Sequence, residues 1–226
     1  MRVPKISHYD TSVDKESIEM SSGVFESRFY DLGRDKDKYK YITTIERLCR
    51  SSMEYRDLID YLKINLGMNF CSFFHKVSKE NFGKARVRIE IHHEPFTLYD
   101  IVAIVLNHRL DEDLSVDMLE IANEVMELHY QGYIGLLPLS ETVHQLVHSG
   151  KLFVPLQFID PGFNEFYNTY FTTIKKMDGL QDMLDAKMRL SKEFAKDPMK
   201  FMDILRKKYI YVVNTDYDSI PEKIEK

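Results

Sequence analysis

One stretch of the chain repeats with period two, while most of the rest repeats with the period of a helix. In ARVRIEIHH, residues 85–93, the apolar Val87, Ile89 and Ile91 alternate with Arg86, Arg88, Glu90 and His92. Successive side chains on a strand point to opposite faces, so this run is a half-buried strand that needs a partner. Pro95 stops any ladder just beyond it. The aromatic-rich NFCSFFHKV precedes it, and the link SKENFG carries Gly83 and suits a hairpin loop. The spacing therefore predicts an antiparallel pair of about 69–77 with 85–93.

Helical periodicity covers much of the remainder. In 39–66, Ile42, Ile45, Leu48 and Cys49 share a face, followed by Leu58, Ile59 and Leu62, with Gly67 as C-cap. Thr97 is placed to cap 98–109, and Ser115 to cap 115–130, whose apolar line is Leu119, Ala122, Val125 and Met126. After Gly132 comes an apolar extended run, YIGLLPL; Ser140 then caps a short helix, ETVHQLVHS, closed by Gly150. Residues 162–208 read as helices at 163–176 and 179–195 and a short one after Pro198. Residues 1–38 read as an irregular arm with a short strand at 24–30, residues 209–213 as a strand, and the tail as frayed. The fold class expected is α+β, mostly helical.

Composition narrows the function classes. With 44% apolar and 30% charged residues the 226-residue chain is globular, not disordered. No window of 18 or more apolar residues occurs and MRVPKISHYD has no apolar core of a secretory signal, so neither a membrane nor export is expected. Cys49 and Cys71 are too few for a zinc ribbon; they suit a reducing compartment, and a cytoplasmic location, the host's if the chain is viral, is expected. The net charge of −5 weighs against nucleic acid, but a local patch suffices for such binding. Residues 75–90 carry five Lys or Arg against two Glu, and residues 175–208 ten against six Asp or Glu. A solvated charged face is the plain reading of both. The run Phe163, Phe166, Tyr167, Tyr170, Phe171 has helical spacing and reads as core. There is no glycine-rich phosphate loop and no Gly-x-Ser-x-Gly elbow.

The chemistry lies in the histidines, six of whose eight fall between 92 and 148. His144 and His148, four apart on a helix, put two imidazoles on one face, one turn apart, where both can hold one metal ion. His92 and His93 end the period-two strand and face opposite ways, so one can take the metal while the other serves a different part of a site. A metal-dependent hydrolase uses that division: the ion polarises a phosphoryl oxygen, and a separate neutral imidazole takes a proton from water. Glu90, on the strand face of His92, is either the carboxylate that orients a ligating histidine or a solvent-facing strand glutamate. His108 reads as a cation at a helix C-terminus and His129 as a core-edge residue; His8 and His75 show no partner.

Two segments, Arg88-Ile89-Glu90-Ile91-His92-His93-Glu94-Pro95 and Gly135 to Lys151 (GLLPLSETVHQLVHSGK), resemble the first strand and the second strand plus metal helix of HNH-type (His-Me finger, ββα-metal) endonucleases, closest to the colicin-type DNase branch. The match covers about 25 residues in two blocks. The resemblance implies a ββα-metal finger with His92, His144 and His148 as ligands of one divalent ion (Mg, Mn, Zn or Ni) and His93 as general base. It implies a DNA-hydrolysing enzyme encoded by a phage or mobile element, with Lys79, Lys84, Arg86, Arg88 and Lys151 meeting the nucleic-acid backbone. The family's middle Asn falls at Gly135, and Asn107 and Asn123 are the amides that could stand in for it. About 50 residues separate His93 from His144, so the helices between form an insertion. Ser140 and Val143 stand where many members carry cysteines, as in the colicin-type branch, which lacks them too. The organisation expected is 1–66 as arm and helices, 67–160 as the finger with a helical insert at 98–131, and 161–226 as a C-terminal helical region, all packed as one globular unit. DNA is the expected partner, with a homodimer through the aromatic C-terminal helix kept open. The competing reading is a catalytically inactive finger acting as a protein- or nucleic-acid-binding or structural module.

Overall fold

The computed structural model describes residues 30–74 and 88–205. The chain falls into two compact units, each assembled from separate segments. The first draws on the chain up to Asp60, Phe96–Ile134 and Gly162–Leu180; the second on Tyr61–Pro95, Gly135–Pro161 and the chain from Gln181 onward. Among the described residues the architecture is mostly helical with one two-stranded antiparallel sheet, an α+β fold. No described helix is long and apolar enough to cross a membrane.

The helical pattern expected over 39–66 is two helices, α1 (Asp35–Ser51) and α2 (Met53–Ile64). The break is at Ser52, whose backbone turns extended and whose Oγ accepts the Tyr55 N–H at 3.1 Å. A serine side chain that can cap a new helix competes with continuing the old one. Helix α3 (Leu98–Asp111) opens on Thr97 with a reciprocal cap: Thr97 Oγ1 accepts the Asp100 N–H, and Asp100 accepts the Thr97 N–H. Leu98 and every residue from Ile101 to Leu106 is buried, the signature of a helix enclosed all round. Helix α4 (Met118–Tyr130) is capped by Asp117, not by Ser115 as expected; Asp117 Oδ1 takes the N–H groups of both Leu119 and Glu120. A carboxylate that satisfies two orphan donors and favours the positive helix end outcompetes a hydroxyl two residues earlier.

The core of the first unit is made where α1, α3 and α4 meet, from Ile42, Ile45, Val102, Val105, Ala122 and Val125 among others. Of the aromatic run around helices α6 (Asn164–Thr169) and α7 (Phe171–Lys176), Phe166 and Tyr170 pack as core, with Phe96 on Phe166, while Phe163 and Tyr167 are half-buried and Phe171 is exposed. Tyr170 donates to Glu124, which also holds Arg109 at 2.6 Å. Asn107 bonds Ala103 O and accepts from Lys38, all within this unit.

His129 is a core residue of this unit, not an edge one. It is 4% exposed and its Nδ1 lies 2.7 Å from Val125 O. Burial, opposed by that carbonyl, pushes its pKa down from 6.5 to about 4. Above pH 6.5 both folded and unfolded chains hold it neutral; between 6.5 and about 4 only the unfolded chain takes the proton, so stability falls with pH across that window. At about 1.4 kcal/mol per unit, His129 withdraws about 2 kcal/mol between neutrality and about pH 5. Urea unfolding at both pH values checks this: His129→Leu flattens the slope by that amount, and an unchanged slope would refute it.

The second unit contains strands β1 (Ile89–His93) and β2 (Leu136–Ser140), antiparallel with Ile89 opposite Ser140, His92 opposite Leu137 and His93 opposite Leu136. Among the described residues β1 thus pairs with β2 and not, as expected, with 69–77; of the expected hairpin, residues 75–87 lie outside the described residues. Its described part lies against β2: Ser72 gives both its N–H and its Oγ–H to Pro138 O. Helix α5 (Glu141–His148) follows β2 directly, its first N–H bonded to Arg88 O on the neighbouring strand. Val143 is buried against the sheet with Leu146 and Val147 beside it, which fixes the rotation of α5. A 3-10 turn (Leu156–Phe158) and helices α8 (Leu180–Lys196) and α9 (Pro198–Leu205) complete the unit. The expected strands at 24–30 and 209–213 and the frayed tail lie outside the described residues, Tyr30 excepted.

Candidate metal centre

Two local rules bring the site together. On β1, Glu90 and His92 are two apart and share the face that α5 covers. On α5, His144 and His148 are four apart and share the face turned to β1. One ring nitrogen from each of His92, His144 and His148 lies within 4.8 Å of the other two. The His92 ring centroid is 5.1 Å from each of the other two, and those two are 4.4 Å apart. His144 Nε2 and His148 Nε2 face each other at 3.0 Å.

Carboxylates flank two of these rings. Glu90 Oε2 is 2.7 Å from His144 Nδ1, and its Oε1 is 3.2 Å from Arg88 Nε. Glu90 is half-buried, with its carboxylate in contact with both His144 and Arg88. Glu94 Oε2 is 3.5 Å from His92 Nε2, and Glu94 is 3% exposed. Its other oxygen meets Lys187 of α8. Burial, with His92 and His148 nearby, pushes the His144 pKa down from 6.5 to about 4, against the pull of Glu90. His144 is therefore neutral at neutral pH, the form that ligates metal.

His93 stands outside this cluster. Alternation sets its Cβ on the opposite face of β1 from His92, and the residue is 5% exposed. Arg88 is 72% exposed, and Lys151 is exposed beyond the end of α5. Lys79, Lys84 and Arg86 lie outside the described residues. His108 contacts Thr173 and the ring of Tyr170, and Asn107 is engaged as described above. Sequence reading missed Lys187 and gave Glu94 no role. Glu94 had a signal, an acid directly after two histidines. Lys187 had none, since it lies 93 positions from its partner in a segment read as solvated.

The family described as bacteriophage G278-like virion protein matches residues 2–218, almost the whole chain. The chain belongs to that family. Comparison with curated proteins and with solved structures gives no match.

In this G278-like phage protein the donor set fits a divalent ion on three counts. Three imidazoles are the ligand set of an open tetrahedral centre, whose N···N edges are about 3.3 Å for metal–nitrogen bonds near 2.0–2.1 Å. The 3.0 Å edge between His144 and His148 is close to that value, and one nitrogen of His92 lies within 4.8 Å of both. The carboxylate on His144 Nδ1 leaves Nε2 facing the cluster, the arrangement that orients ligating histidines.

Proposed function

We propose that this protein binds one divalent metal ion on His92, His144 and His148 and hydrolyses phosphodiester bonds in DNA, in the manner of the HNH-type endonucleases its two segments resemble. The observation that carries the reading is the convergence of three imidazoles from two distant stretches of chain. A three-histidine set leaves a coordination position for substrate or water, and His148 is exposed at the mouth of the cluster. Imidazole donors favour zinc or nickel over magnesium. When bound, such an ion polarises a phosphoryl oxygen and neutralises the charge that develops on it. The chain's own residues do the rest. Glu90 holds His144 in one tautomer. His93, next to a ligand at the end of β1, takes the proton of the attacking water. Arg88 and Lys151, with Lys79, Lys84 and Arg86, meet the backbone phosphates.

A second reading has a specific observation behind it. Membership in a virion family, with a burial of 95% for His93, favours a finger kept as a structural module whose metal staples β1 to α5. One experiment separates the two. The purified chain is assayed for bound metal and for plasmid nicking with Mg²⁺, Mn²⁺, Zn²⁺ and Ni²⁺, then again as His93→Ala. The enzyme reading expects metal-dependent nicking that falls by about 10²- to 10⁴-fold in the variant, the usual worth of a general base. Stoichiometric metal without nicking under any ion selects the structural module.

A further inference from the structure

We infer that Glu94 and Lys187 are a positioning pair for the imidazole cluster, which makes helix α8 part of the site. This rests on the metal reading above for its consequence, but its geometry stands independently. Glu94 is 3% exposed, and a carboxylate taken that far from water is retained only beside a partner. Lys187 Nζ supplies it, meeting Oε1 and also Pro95 O at 3.1 Å. The remaining oxygen, Oε2, is the one 3.5 Å from His92 Nε2.

The backbone of Glu94 is fixed as well, because its N–H donates to Gly135 O at 3.0 Å. Only the side-chain torsions of Glu94 are left, and the lysine sets them by donating to Oε1 while its ammonium is tied to the Pro95 carbonyl. Lys187 is itself placed by α8, whose Ser191 Oγ accepts the Leu156 N–H at 2.9 Å and whose Phe194 packs on Phe158. Glu94 therefore does for His92 what Glu90 does for His144: it places a carboxylate at one ring nitrogen and so fixes the tautomer and orientation of the ring. A lysine far along the chain thereby governs a ring it does not touch.

The test uses the full-length chain and Co²⁺ as the probe metal. Lys187→Met weakens Co²⁺ binding by about 10- to 100-fold, the usual cost of removing a partner of a ligating histidine, and alters the visible absorption of the bound ion. In the metal-free protein it also moves the His92 ring nitrogens in proton–nitrogen spectra and leaves those of His129 in place. Lys187→Arg restores both. Should Lys187→Met fail to fold, the double variant Glu94→Gln, Lys187→Met removes both charges and is expected to show the same loss of Co²⁺ affinity. Wild-type affinity and unmoved His92 signals in these variants overturn the positioning role. A wild-type chain that takes up no Co²⁺ sinks the metal reading instead, and movement of the His92 signals in its metal-free variants would still uphold the pair.

Discussion

His144→Ala weakens uptake of a divalent ion by about 100-fold or more and leaves the fold standing. The two halves of that expectation have separate causes. His144 packs against both other rings and is the one that Glu90 contacts, so its loss removes one ligand of three and leaves a carboxylate with no ring to hold. Structural metal sites contribute roughly 10–16 kcal/mol over about four ligands, so one ligand is worth about 3 kcal/mol, or about 100-fold in affinity or more. The fold survives because the His144 side chain is 22% exposed, so truncation opens onto solvent, and because Glu90 keeps Arg88 at 3.2 Å. The measurement is thermal unfolding with and without metal. At an ion concentration about 100 times its dissociation constant the parent gains about 2.7 kcal/mol, and the variant gains almost none. The sign with pH follows from the depressed His144 pKa of about 4: at neutral pH the ring has no proton to give up, and proton competition there sets in only as pH falls towards 4. A His144→Ala chain that still takes one ion with parental affinity would remove the three-imidazole centre from consideration.

The sequence showed the site more clearly than the sheet that builds it. His144 and His148 were legible because four-residue spacing is fixed by the helix itself, and Glu90 with His92 because alternation is fixed by the strand. The strand β1 was legible for the same reason. Its partner was not legible from periodicity, which pointed to 69–77; only the resemblance to a ββα finger set 135–140 as the second strand. The run that forms β2, LLPLS, is buried at every position, so no alternation marks it as a strand with a particular neighbour, and a pairing set by distant packing leaves no local trace. The aromatic segment before β1 was the nearer candidate, yet Ser72 turns to Pro138 on β2. Pro138 has no N–H to give, and its carbonyl accepts twice from that serine.

The breaks within helices were lost in a similar way. Periodicity runs through Ser52 and Tyr170, so the helical pattern of 39–66 marks no break and 163–176 reads as one helix. The structure divides the first at Ser52, where the hydroxyl offers the next helix a cap, and the second at Tyr170, the residue between α6 and α7. The Tyr170 hydroxyl is held by Glu124 on another helix, a tertiary contact that a window of sequence does not contain. Lys187 is the extreme case: nothing within twenty residues of it distinguishes it from the other lysines and arginines of α8 that face solvent.

Gly135→Ala destabilises the second unit by more than about 3 kcal/mol, beyond the usual 1–3 kcal/mol of an overpacked site. A Cβ there would lie 2.1 Å from Glu94 O and 2.6 Å from Ile159 Cγ2. The isoleucine methyl can swing aside, but the carbonyl belongs to the backbone that carries His92 and His93. Relief requires β2 and the end of β1 to separate, which breaks the 3.0 Å bond from the Glu94 N–H to Gly135 O and leaves two buried polar groups unpaired. Against a total stability of about 5–15 kcal/mol for a folded domain, that loss is a large fraction. It also bears on the resemblance to HNH nucleases, which sets an asparagine at this position: no side chain fits there, and the glycine carbonyl ties the strand through the Glu94 N–H instead. Gly135→Asn is therefore expected to be no milder than Gly135→Ala, and to bind no metal. Urea unfolding of the two variants decides it. If Gly135→Asn matches the parent in midpoint and takes up metal, the close approach of β2 to Glu94 is not a feature of the molecule.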